Sequence, residues 1–151
     1  MSQPKIRCLL AMLGTDVHSK GIRTLAQILR DHGVEVIYLG EHNTAEGVIN
    51  AIIAEDADVV GLSYSTATYL HYTGELLRKM QAEGVGDVPV MLGGLIHPED
   101  EPELREMGVQ GIFGPGSTTQ QIISFLAAVT GKPPPDDNPA FIKPSPEDNP
   151  V

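Results

Sequence analysis

Five short apolar runs, separated by stretches of helical period, constrain this chain more than any other feature. The runs are Ile6 to Leu13, Val34 to Leu39, Val59 to Leu62, Val88 to Leu92 and Gly111 to Phe113, and several are rich in Val and Ile. Near-continuous apolar character, rather than alternation, is what a strand covered on both faces requires. Between the runs, Ile22, Leu25, Ile28 and Leu29 recur at helical spacing, as do Val48, Ile49, Ile52 and Ile53. Three further amphipathic stretches cover about residues 68–82, 99–107 and 118–129. Gly33, Gly84 and Gly108 follow the first, third and fourth of these helices, where a left-handed cap falls most easily on glycine. Five strand-helix repeats with short links predict an α/β fold with parallel pairing and right-handed crossovers. The expected sheet is doubly wound and five-stranded, of order 2-1-3-4-5, with helices on both faces.

One domain of about residues 1–131 accommodates all five repeats, and a chain of 151 residues is long enough to bury roughly two-thirds of its unfolded surface. The single cysteine, Cys8, falls inside the first apolar run, so it reads as a small buried hydrophobe, and a disulfide within one chain is excluded. No run approaches the roughly 18 apolar residues of a membrane span, and the first residues lack the apolar core of a signal peptide. Cytoplasmic localisation is the expectation. The net charge of −10 and the absence of Trp argue against nucleic acid, which takes its affinity from clustered cations and stacking rings. Residues 132–151 change in character, to a Pro-rich acidic tail without helical or alternating period. It is expected to be either an inert solubilising end or a docking strap, with Phe141 and Ile142 as its apolar handle.

In a sheet of this order, ligands bind beyond the carboxyl ends of the strands where the order reverses, between strands 1 and 3. The loops expected there are GTDVHSKG (14–21), SYSTAT (63–68), GGLIHP (93–98) and GPGSTT (114–119). The first looks like a phosphate cradle but carries Asp16 and His18 at its centre. A lone histidine near a loop is either a hydrogen-bonded surface residue or a metal ligand. Asp16, two residues earlier, is close enough to accept the proton on one ring nitrogen, which makes the other a better metal donor. No second histidine or cysteine stands at zinc spacing, so most ligands of any metal here must come from elsewhere, as a macrocycle would supply them.

These residues resemble a family, the cobalamin-binding domains of adenosylcobalamin-dependent mutases, in particular the small subunits of isobutyryl-CoA and 2-hydroxyisobutyryl-CoA mutases. The likeness covers about residues 5–130 and is flavodoxin-like throughout. The family signature D-x-H-x-x-G is met by Asp16, His18 and Gly21; a serine ending strand 3 by Ser63; and a glycine pair ending strand 4 by Gly93 and Gly94. The phrases ILRDHGVEVIYLG, IAEDADVVGLS and GGLIHPED have close family counterparts. The resemblance implies that His18 displaces the corrinoid's own base and binds cobalt, oriented by Asp16. The freed nucleotide tail would enter the sheet between strands 1 and 3, with Ser63 bonded to its base and Gly93 and Gly94 leaving room for its sugar and phosphate. Gly114, Gly116 and Ser117 would line the far wall. It further implies a separate large subunit, a barrel that binds acyl-CoA, in a hetero-oligomer inactive without it.

Three stretches depart from the family. Met12 stands where a lysine extends the relay, which leaves Asp16 alone to tune His18. DGHDRG is DVHSKG here. Ser63-Tyr64-Ser65 replaces Ser-x-Leu, which puts a Ser65 hydroxyl where an apolar contact to the tail is usual. Two other functions are therefore kept open: a corrinoid carrier for methyl transfer, and a degenerate regulatory domain. Methyl carriers usually place a helical cap ahead of strand 1, which here begins by Ile6. A receiver domain would need an aspartate at Ser63, and a flavin site a denser Ser/Thr run in the first loop. His32 and His42 read as solvated; His71 and His97 face either a corrin or water. Tyr64, Tyr69 and Tyr72 either touch a ligand or partner or finish a helix-sheet interface. Glu99, Asp100 and Glu101 are expected to open the fourth helix at its positive end.

Overall fold

A computed structural model describes residues 5–133. Within them five parallel strands, β1 (Arg7–Leu13), β2 (Glu35–Asn43), β3 (Val59–Tyr64), β4 (Val90–Gly94) and β5 (Gly111–Phe113), form one sheet of order β2-β1-β3-β4-β5. Helices α1 (Lys20–Asp31), α2 (Ala45–Glu55), α3 (Tyr69–Ala82), α4 (Glu101–Met107) and α5 (Thr119–Thr130) follow the strands in turn. The architecture and strand order are those the sequence predicts. None of these helices is long and apolar enough to cross a membrane. The tail from residue 134 onward, with Phe141 and Ile142, lies outside the described residues.

The strand β1 shows why its run is apolar without a break from Cys8 onward. Leu9, Ala11 and Leu13 join the core under α2, α3 and α4, whereas Cys8, Leu10 and Met12 join the core under α1 and α5. Successive side chains point to opposite faces, and each face has a helical layer to fill. Leu9 and Leu10 are at most 1% exposed, and full burial of such a side chain contributes about 1.5–3 kcal/mol. The helices are fixed at their ends by local chemistry. Thr118 and Gln121 form a reciprocal capping box at α5, and the Thr44 hydroxyl accepts the Gly47 amide at α2. Gly33, Gly84 and Gly108 take the positive φ expected after helices α1, α3 and α4. The acidic opening of α4 is divided: Pro98–Asp100 form a 3-10 turn, and Glu101 begins the helix.

Three strands differ from the sequence reading in extent; β3 runs two residues past Leu62, to Tyr64. β2 runs on to Asn43 through register shifts opposite Leu10 and Leu13, with Gly40 and His42 at positive φ. Polar residues in this irregular stretch hide it from any periodicity. β4 starts two residues late, because Pro89 has no N–H for the ladder and only its carbonyl is used, by Val60, and it ends two residues later, at Gly94, where it still pairs with Tyr64.

Candidate functional site

The loop after β1 is anchored before it reaches Asp16. Gly14 stands at φ +76°, and a Cβ there would lie 2.5 Å from the ring of Tyr72, so this turn admits only glycine. Its amide donates to the Asn43 carbonyl (3.2 Å), and the Asn43 side chain donates to the carbonyls of Gly40 (2.8 Å) and Met12 (3.2 Å). The irregular end of β2 thus fixes where the loop leaves the sheet.

Asp16 is 8% exposed and accepts four hydrogen bonds. Oδ1 takes the His18 amide (3.0 Å), His18 Nδ1–H (2.9 Å) and the Ser65 hydroxyl (2.7 Å); Oδ2 takes the Ser65 amide (2.7 Å). Burial works to raise this carboxyl. The Ser65 hydroxyl, the His18 and Ser65 amides and the His18 ring outweigh it, and hold Asp16 well below the usual carboxylate range. An ionised carboxylate only accepts, so the proton of neutral His18 sits on Nδ1, and Nε2 keeps its lone pair. The imidazole is otherwise in solvent, its side chain 71% exposed. A histidine tethered at one nitrogen and open at the other has the arrangement that a single metal-donating imidazole needs. The Asp16–His18 pair is as the sequence predicts, but Asp16 does not act alone: Ser65, 49 positions away, supplies two of the four donors.

Beside this relay lies a cavity of about 380 Å³ with an apolar lining. Its floor is the sheet: Leu10 of β1, Gly61 to Ser63 of β3 and Met91 to Gly94 of β4. Its walls are the first turns of α1, from Lys20 and Gly21 onward, Ile122 of α5, and the Phe113 to Pro115 corner. The register explains the depth of the floor, since Leu10, Gly61 and Met91 lie on one row, and a Cβ on Gly61 would meet Leu10 at 2.7 Å. An isolated glycine within an apolar strand is a sign of such an approach. α1 begins with no side-chain cap and no acidic residue in its first turn.

The glycine pair at the end of β4 serves two purposes. Gly94 has φ +95°, and a Cβ on it would fall 2.1 Å from the Tyr64 carbonyl oxygen, so the fold itself demands glycine. Gly93 has no such constraint; its nearest neighbour would be the Phe113 carbonyl at 3.5 Å, an ordinary contact, and what a side chain there would occupy is the cavity.

The predicted residues therefore gather at one edge. Gly21, Ser63, Gly93, Gly94 and Gly114 line the cavity, and Asp16, His18 and Ser65 form the relay next to it. Gly116 and Ser117 lie in the adjoining turn, and Pro115 takes the wall position instead. The tyrosines finish the interface between helices and sheet. Tyr64 is buried with its hydroxyl on Thr73 (3.0 Å), and the Tyr69 hydroxyl donates to Asp100 and accepts the His97 amide, which ties down the β4–α4 loop. His71 and His97 are exposed.

A cobalt corrinoid suits this site. Among the described residues no group of three His, Cys, Asp or Glu is placed to hold a metal ion. A metal that brings most of its own ligands would need one donor from the protein, for which the exposed His18 Nε2 is placed, and the neighbouring apolar cavity would have room for an appended group.

Comparison with known proteins points the same way. Residues 6–124 match the B12 binding domain family. The chain is 36% identical over 129 residues to the 2-hydroxyisobutanoyl-CoA mutase small subunit of Aquincola tertiaricarbonis, covering 85% of this chain and 95% of that one. It is 35% identical over 127 residues to the pivalyl-CoA mutase small subunit of Xanthobacter autotrophicus, covering 84% and 85%. In fold it resembles a cobalamin-binding protein from Desulfitobacterium hafniense, with a TM-score of 0.61 and 24% identity over 72% of this chain and 52% of that one. With its relay and cavity both built on the matched residues, this chain belongs to the B12-binding domain family and, within it, is related to the small subunits of acyl-CoA mutases.

Proposed function

We propose that this chain is the cofactor-carrying small subunit of an adenosylcobalamin-dependent carbon-skeleton mutase, with His18 as the lower cobalt ligand and the corrinoid held base-off. The observation that carries this is His18 itself, bonded through Nδ1 to a buried, ionised Asp16 and 71% exposed beside an apolar slot. Asp16 and Ser65 hold the imidazole in one orientation, Nδ1 toward the carboxylate, so that Nε2 is presented without reorganisation. The slot takes the displaced nucleotide tail, with Ser63 as its strand-borne hydroxyl, Gly93 as the gap in its wall, and the uncapped start of α1 suited to the tail's phosphate. When bound, adenosylcobalamin supplies a carbon–cobalt bond whose homolysis starts radical rearrangement; the chain's part is to bind and orient. The substrate site belongs to a separate large subunit, in keeping with relatives named as small subunits.

The test is a visible-absorption titration with adenosylcobalamin, run beside His18→Ala. A saturable base-off, histidine-ligated spectrum that the variant loses is the expected result. Binding indifferent to His18 would overturn the assignment. Mutase turnover by this chain without any partner would overturn the subunit role.

A further inference from the structure

Asp16 poses an electrostatic problem that the Asp16–His18 pair does not solve. It is a buried carboxylate, and among the described residues no lysine or arginine is paired with it; its one ion-pair partner is His18. Met12, four residues earlier, is fully buried in the core under α1 and α5 and offers no donor. A buried carboxylate with no lysine or arginine beside it must be met by hydrogen bonds, and half of those Asp16 receives come from Ser65. The Ser65 hydroxyl also lies 2.9 Å from His18 Nδ1. Its proton is committed to Asp16, so its lone pair is a second acceptor for Nδ1–H. Both polar groups of Ser65 are thereby used within the relay. The serine that lines the cavity is Ser63.

We infer that Ser65 is a positioning residue for the cobalt ligand, acting on His18 through Asp16 and not on the nucleotide tail. The inference rests on His18 being that ligand. Without the hydroxyl, Oδ1 of Asp16 keeps only the two His18 donors, Nδ1 loses its second acceptor, and neither the carboxylate nor the ring is held in one orientation. Loss of a partner that orients a metal-binding histidine typically costs 10- to 100-fold in affinity.

A corrinoid without a nucleotide separates the two roles. Aquocobinamide has no tail to enter the slot, so only the axial contact can report on His18. Wild-type protein, Ser65→Ala, Ser65→Thr, Ser63→Ala and His18→Ala are titrated with aquocobinamide and with adenosylcobalamin, following the histidine-dependent shift in the visible spectrum. Ser65→Ala is expected to weaken that shift about 10-fold with both corrinoids. Ser65→Thr, which keeps the hydroxyl, should retain most of the affinity, and Ser63→Ala should weaken cobalamin alone. A Ser65→Ala defect confined to cobalamin would make Ser65 a tail contact and overturn the inference. So would an unchanged cobinamide shift in Ser65→Ala while His18→Ala abolishes it. If the wild-type protein shows no shift that depends on His18, the ligand assignment itself falls, and the inference with it.

Discussion

The two glycines that end β4 should behave as different residues when each is given one methyl group. In Gly94→Ala the new Cβ would stand 2.1 Å from the Tyr64 carbonyl oxygen, at φ +95°. That oxygen already accepts the Leu95 amide at 2.8 Å, so it is not free to retreat. Left-handed strain costs about 1–3 kcal/mol and overpacking a further 1–3 kcal/mol, so a loss of about 4 kcal/mol is expected from a total of roughly 5–15 kcal/mol. With a urea dependence of about 2 kcal/mol per molar, the unfolding midpoint should fall by roughly 2 M. In Gly93→Ala the methyl meets nothing closer than 3.5 Å, and the stiffer unfolded chain offsets any strain, so stability should stay within about 1 kcal/mol of wild type. The penalty at this position falls on binding. Gly93→Val puts a branched side chain on the wall of the slot, and overpacking of about 1–3 kcal/mol weakens cobalamin roughly 5- to 150-fold while sparing cobinamide. Urea melts of the two alanine variants, read with the two titrations, decide the matter. Wild-type stability in Gly94→Ala, or an equal loss in both alanine variants, would refute the division between a glycine kept for the fold and one kept for the ligand.

Two further outcomes concern protons. Burial pushes the Cys8 thiol up to about 12, so native protein should resist iodoacetamide at about pH 8, where the urea-unfolded chain reacts. Because the folded state holds this proton more tightly, the contribution is complete below the unfolded thiol's value of about 8.5 and is lost as pH rises from there toward about 12; rapid native labelling would contradict it. Asp16 has the opposite sign. Its carboxyl is held low against burial by Ser65 and His18, so its contribution is present above the ordinary aspartate value of about 3.9 and is lost as pH falls below it. Urea melts between about pH 5 and pH 3 should show a shallower loss of stability in Asp16→Asn than in wild type, and parallel losses would mean that the carboxylate is not held as described.

What the sequence made legible follows from how locally each feature is written. Strands β1 and β3 could be read because both faces of each are covered, so the apolar run is its own evidence. The far end of β2 could not, because Gly40 to Asn43 pair through shifted register with polar side chains, and their purpose is to hold Gly14 and the carbonyl of Met12. Asp16 and His18 are legible because a two-residue spacing alone brings carboxylate and ring together. The contribution of Ser65 is written nowhere locally: it reaches Asp16 and His18 from 49 and 47 positions away. What joins them is the strand order. β3 lies directly beside β1, while the helices after these strands, α1 and α3, pack on opposite faces of the sheet. The crevice at that reversal is where a residue just past β3 can meet a loop just past β1. Once the order 2-1-3 was inferred, the meeting of the two loops was determined in outline, but which side chain of SYSTAT would reach Asp16 was not. The pleat gives Ser63 to the face of the cavity, with Met12 and Gly93, and Tyr64 to the opposite core. Ser65, the first residue beyond the strand, is released from that alternation, and its amide and hydroxyl are therefore free to turn together onto one carboxylate.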